Sequence, residues 1–121
     1  MKFKVSKAKE NSFESGLRGF FAYRNLGTAE ATSGDFGANV IKAIPGEHAK
    51  GDWHYHKLEF QMVYILRGWV KFQYEGEGTF TLEEGDTVYQ PPEIHHREID
   101  HSEDLELIEI TKPAIFETVS I

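Results

Sequence analysis

The sequence predicts an all-β fold, a sandwich or barrel built from many short strands. Three observations predict it. Aromatic and β-branched residues gather in runs of four to seven, the residue types that suit a pleated, half-buried surface. Gly, Pro, Asp and Ser punctuate those runs, as turns require. No segment carries a strong helical period.

Taken in order, residues 1–17 read as an N-terminal arm or edge strand that can pair with a second subunit, with room for a turn or two of helix between Lys7 and Leu17. Residues 18–121 read as one barrel domain. Its strands are expected at Gly19–Arg24, Ala38–Ile44, Trp53–His56, Gln61–Leu66, Val70–Tyr74, Thr79–Leu82, Thr87–Gln90, His95–Ile99, Leu105–Thr111 and Phe116–Ser120. Turn signals separate them: Ser33-Gly34-Asp35, Pro45-Gly46, Arg67-Gly68, Glu75-Gly76-Glu77-Gly78, Glu84-Gly85-Asp86 and Pro91-Pro92. Val70-Lys71-Phe72-Gln73-Tyr74 alternates cleanly, the pattern of an antiparallel strand with one buried face. Leu105 to Ile110 switches parity midway, which calls for a bulge or two buried faces.

Composition narrows the function. The 121 residues make one domain, and 40% apolar content with 13% aromatic suffices for a real core. Thirteen basic and 20 acidic residues leave a net charge of −7. That balance argues against binding nucleic-acid phosphates or an anionic membrane surface. Cysteine is absent, which removes disulfides, thiolate ligands and thiol nucleophiles together. The first ten residues lack the apolar core of a signal peptide. The longest mostly apolar stretch, Phe60 to Leu66, is too short to span a bilayer as a helix. A cytoplasmic location is the expectation.

The chemistry concentrates in His54, His56, Gln61 and His96. On a strand, side chains at i and i+2 share a face, so His54 and His56 can reach one ion. On a helix they would diverge by about 200°. With His96 and the amide oxygen of Gln61 they can close on one divalent metal. Neutral imidazole suits Fe, Mn, Ni, Cu, Co and Zn alike. His95 competes with His96, because neighbouring strand residues face opposite ways.

These residues carry a family resemblance. The chain resembles the small single-domain proteins of the cupin superfamily. His54-x-His56, four residues, Gln61, six residues and Gly68 follow the first motif of that family, with Gln61 where glutamate is usual. His48 stands where the motif begins with glycine. Gly85, five residues, Pro91, four residues and His96 follow the second motif, with Glu93 in place of a glycine and Asp100 in place of an asparagine. The resemblance implies a double-stranded β-helix, a jelly-roll barrel with the metal inside one end and often a dimer. It selects His96 over His95. It leaves Gln61 open between a fourth ligand and a bystander to a three-histidine site. Glu59 could substitute for it only through a bulge.

Other residues are expected in plainer roles. Tyr64 and Tyr89 read as core aromatics or cavity lining, and Trp53, Trp69 and Phe72 as core or dimer surface. Glu109 reads as a solvated edge residue, and His48 and His101 as exposed. No phosphate loop or nucleophile elbow is present. Three functions fit: a metal-dependent dioxygenase acting on a small organic molecule, a non-catalytic module that binds a sugar or carboxylate, and a metal-dependent isomerase, lyase or epimerase.

Overall fold

A computed structural model describes residues 1–16 and 19–121. The boundary expected between arm and barrel, at residues 17 and 18, lies outside the described residues. The strands are β1 (Glu14–Ser15), β2 (Phe21–Asn25), β3 (Gly37–Ala43), β4 (His54–Lys57), β5 (Phe60–Arg67), β6 (Trp69–Tyr74), β7 (Gly78–Glu83), β8 (Thr87–Tyr89), β9 (His96–His101), β10 (Glu106–Lys112) and β11 (Glu117–Ser120). Each of the ten expected strands is there, within a residue or two at most of its ends. A single turn of 3₁₀ helix spans Ala8–Glu10, and one turn of α-helix, α1, spans Thr28–Ala31.

Two antiparallel sheets form the jelly roll. One runs β1-β2-β3-β10-β5-β8 and the other β11-β4-β9-β6-β7. Strand neighbours are mostly remote in sequence, so the chain passes repeatedly between the sheets. The core fills the space between them: Phe21, Ile41, Val63, Ile65, Val70, Phe72, Leu105 and Leu107 are all buried. Ile65, Val70 and Leu105 are the most fully enclosed. The alternation of β6 appears as expected, with Val70, Phe72 and Tyr74 buried and Lys71 and Gln73 half-buried.

Two bulges set which side chains face inward. β10 and β5 shift register where Glu106 pairs with Arg67 and Leu107 with Ile65, so the extra residue is Leu66 of β5, and β10 itself keeps an unbroken alternation with Ile108 and Ile110 half-buried on its second face. Leu107, Glu109 and Thr111 then alternate on one face, with Leu107 and Thr111 buried. In β9, Lys71 pairs with Asp100 while Phe72 pairs with Glu98, so Ile99 is the extra residue. That bulge flips the parity after Glu98, and His101 returns to the interior beside it.

Gly68 makes the turn between β5 and β6. Its φ of 72° suits glycine, and a Cβ there would press on Ser102, Asp104 and the backbone of Leu105. The arm packs locally: the Lys2 backbone N–H donates to the Ala31 carbonyl, and Lys4 pairs with Glu30 at 3.0 Å. Met1, Phe3 and Val5 stay exposed. Tyr64 and Tyr89 neither line the cavity nor fill the core. With Leu66 they stand exposed on the outer face of the larger sheet. Among the described residues no helix is long and apolar enough to cross a membrane.

Candidate metal centre

Strand register builds the site. In the smaller sheet His54 lies directly opposite His96, and His96 lies opposite Tyr74 on its other side. On the neighbouring strand, Thr118 lies opposite His56. The i, i+2 spacing puts His54 and His56 on the face that carries His96. The three rings converge, with centroids 4.3 Å apart for His54 and His96 and 5.0 Å for each pair with His56. Their candidate ligand nitrogens all lie within 4.8 Å of one another.

The outer nitrogens of these rings are already committed. His54 Nδ1 lies 2.8 Å from the Asp52 carbonyl, and His96 Nδ1 lies 2.9 Å from the Ile94 carbonyl. A carbonyl only accepts, so each Nδ1 carries a proton, and in the neutral ring each Nε2 keeps its lone pair. His56 Nδ1 sits 2.8 Å from Thr118 Oγ1, which can fix the same tautomer. Three imidazoles with tethered Nδ1 atoms, when neutral and with Nε2 turned to a common point, are the donor set a divalent transition metal takes. The residues present fit such an ion. Tyr74 stacks on His96, with centroids 5.5 Å apart, and further limits the ring's rotation.

His95 faces the other way. Its Nδ1 pairs with Glu75 at 2.7 Å and its ring stacks on Tyr55. Glu59 is exposed, so no bulge turns it inward. Gln61 is buried and lines the same cavity as the three histidines. Its Nε2 donates to Glu109 Oε2 at 2.9 Å.

The cavity has a volume of about 410 Å³, within the usual range for small-molecule sites. Phe20, Phe21, Tyr23, Ile41, Val63, Phe72, Leu107 and Phe116 supply apolar wall, and Gln90, Glu98 and Glu109 add polar points. Phe72 is therefore both core and cavity wall. No lysine or arginine lines it among the described residues.

Several of these residues depart from the sequence expectation. Glu109 points inward rather than to a solvated edge. His101 is buried at 4% exposure, not exposed, and its Nδ1 lies 3.2 Å from Glu98 Oε2. Phe20 and Phe21 pack against its ring. Burial alone would lower the His101 pKa. The hydrogen bond and charge of Glu98, with the charge of Asp100 and a backbone hydrogen bond with Glu47, outweigh it and raise the value. Burial and the charge of Glu98 raise the Tyr74 phenol. His48 is exposed, as expected. Thr118, Glu98 and Gln90 carry no local signal, since only strand register brings them to the site.

Two sheets closed around a cavity whose three converging histidines could hold a metal ion define a small jelly roll. The family model for the cupin domain matches residues 40–111, more than half of the chain, and the protein belongs to the cupin family. No curated protein sequence matches it. Among solved structures it is similar to KdgF from Halomonas sp., at 21% identity and a TM-score of 0.73, covering 91% of this chain and 94% of that one. It is similar to the polyketide cyclase RemF from Streptomyces resistomycificus, at 15% identity and a TM-score of 0.76, covering 98% and 85%. It also matches oxalate decarboxylase from Bacillus subtilis, a protein with Mn(II) centres, at 18% identity and a TM-score of 0.68. That match covers 89% of this chain and 30% of the decarboxylase. Identities this low establish a shared fold.

Proposed function

We propose that the protein is a metal-dependent enzyme acting on a small organic molecule inside the barrel, with dioxygenase as its leading class. His54, His56 and His96 would hold one divalent transition metal, with Gln61 Oε1 as fourth ligand. The observation that carries this reading is the convergence of three imidazoles whose Nδ1 atoms are all hydrogen-bonded, at the wall of an apolar cavity. A redox-active ion there would supply open positions for dioxygen and for an oxygen donor of the substrate. The chain supplies the rest. Aromatic walls exclude water and hold a flat or apolar body. Glu98, held by His101, offers an acceptor to a hydroxyl or amine. A cavity with carboxylates and no basic side chain among its described lining residues favours neutral or cationic molecules over carboxylates.

Elemental analysis of untagged protein beside a variant lacking all three histidines tests this. Stoichiometric Fe, Mn, Cu or Ni that disappears in the variant is the expected result, followed by O₂ consumption with a turned-over substrate. Absence of metal even after reconstitution refutes the centre and leaves a ligand-binding barrel. A second reading, Lewis-acid isomerase, lyase or cyclase chemistry, draws support from the structural likeness to a polyketide cyclase and a decarboxylase. Stoichiometric Zn and turnover without O₂ would select it.

The expected partner is a second copy of the chain. Tyr64, Leu66 and Tyr89 expose apolar surface on one sheet face, and the arm exposes Met1, Phe3 and Val5. Light scattering that reads the single-chain mass would refute a homodimer.

A further inference from the structure

Glu109 has no part in the three-histidine cluster, yet it touches the one departure from the usual ligand set. Gln61 and Glu109 sit on neighbouring antiparallel strands. Glu109 lies opposite Val63, two residues along from Gln61. Such diagonal neighbours are about 7–8 Å apart at the backbone, within reach of two long side chains. They meet at 2.9 Å, Gln61 Nε2 donating to Glu109 Oε2.

The chemistry of that contact has one sense. A carboxylate accepts and an amide nitrogen donates, so the Gln61 NH₂ group must face Glu109. The amide oxygen then lies on the opposite side of the group. Gln61 is 3% exposed, so its amide has little room to turn over. The same contact places a carboxylate 2.9 Å from the amide that stands where a glutamate would bring its charge directly.

We propose that Glu109 is a positioning residue for the metal centre. It fixes the flip of the Gln61 amide so that the oxygen faces the metal, and it returns to the site, from behind, the negative charge that glutamine at position 61 omits. The inference rests on the reading of Gln61 as a ligand. Both side chains line the cavity of the three histidines, and the hydrogen bond between them runs from amide to carboxylate because the carboxylate only accepts.

The test compares the parent with Glu109→Gln, Gln61→Ala and the exchanged pair Gln61→Glu/Glu109→Gln. Zn(II) affinity is read by competition with a chromophoric chelator, and the visible spectrum of the Co(II) form reports ligand geometry. Thermal melting of the metal-free proteins checks the fold. Glu109→Gln is expected to loosen Zn(II) by about 10- to 100-fold, the usual effect of losing an outer partner of a ligand, and to alter the Co(II) spectrum. Its metal-free melting temperature should stay near the parent's. The exchanged pair is expected to regain at least the parent's affinity. In it the amide introduced at position 109 can donate to the carboxylate introduced at position 61, and the total charge is conserved. A merely structural role for Glu109 would lower the metal-free melting temperature of Glu109→Gln and leave its Co(II) spectrum unchanged. Parent-like affinity and spectrum in Glu109→Gln overturn the inference. Parent-like affinity in Gln61→Ala overturns it too, while leaving a three-histidine centre intact. A parent that binds neither ion overturns the metal reading itself.

Discussion

Replacing His101 with alanine probes the buried pair beside the cavity. The His101 side chain is 1% exposed and the Glu98 side chain 5%, with 3.2 Å between Nδ1 and Oε2. Removing one partner of a buried ion pair typically costs about 3–5 kcal/mol, because the other charge stays in the interior. The packing of the ring on Phe20 and Phe21 is lost as well. For a domain of this size about 1 kcal/mol moves Tm by roughly 4 °C, so His101→Ala should melt roughly 12–20 °C below the parent. The pH dependence follows from the direction of the shift. The folded state raises the His101 pKa above its unfolded value of about 6.5. Folding therefore favours the protonated ring. Its contribution is fully present below about pH 6.5 and is lost as pH rises through the higher folded value. Urea unfolding of chelator-treated protein, followed by the fluorescence of Trp53 and Trp69, measures this at a series of pH values. The gap between parent and variant should be widest near pH 6 and narrow toward alkaline pH. A gap below about 1 kcal/mol at pH 6, or one that widens with pH, would refute the reasoning.

Two further outcomes follow from the site. Thr118→Val removes the hydroxyl beside His56 Nδ1 and should weaken Zn(II) binding by about 10- to 100-fold with little change in metal-free stability; unchanged affinity would show that Thr118 does not orient the ring. The Tyr74 hydroxyl is buried with no hydrogen-bond partner among the described residues. An unsatisfied buried group costs about 1–3 kcal/mol. Tyr74→Phe should therefore be neutral or stabilising in denaturant unfolding, and a loss above about 1 kcal/mol would reveal an interaction of that hydroxyl.

Much of the fold is legible in the chain because its signals are local. Aromatic and β-branched runs between Gly and Pro turns mark every strand but the two-residue β1, and the clean parity of Val70 to Tyr74 reports which face is buried. The parity break in Leu105 to Ile110 reflects two faces that are each at least partly buried, with Leu107 and Thr111 on one and Ile108 and Ile110 on the other, while the extra residue of the nearby bulge is Leu66 in β5. The His54/His56 pair is local in the same way. The bulge in β9 gives no local signal. Ile99 lies in an alternation that looks regular, so the sequence sets His101 outside, among its acidic neighbours. Glu109 differs from its expectation for a related reason. Its carboxylate suggests solvent, and only a donor across the strand makes an inward position tolerable.

The sequence by itself determined the strands, the turn positions and the candidate ligands, because strand periodicity and motif spacing act over a few residues. Tertiary structure alone decided what stands behind those ligands. Thr118 reaches His56 from 62 positions away, and Glu109 reaches Gln61 from 48. Both contacts follow from the sheet orders β11-β4-β9-β6-β7 and β3-β10-β5. A hydrogen bond between remote residues depends on which strands become neighbours and in what register, and that is settled by packing the whole core at once.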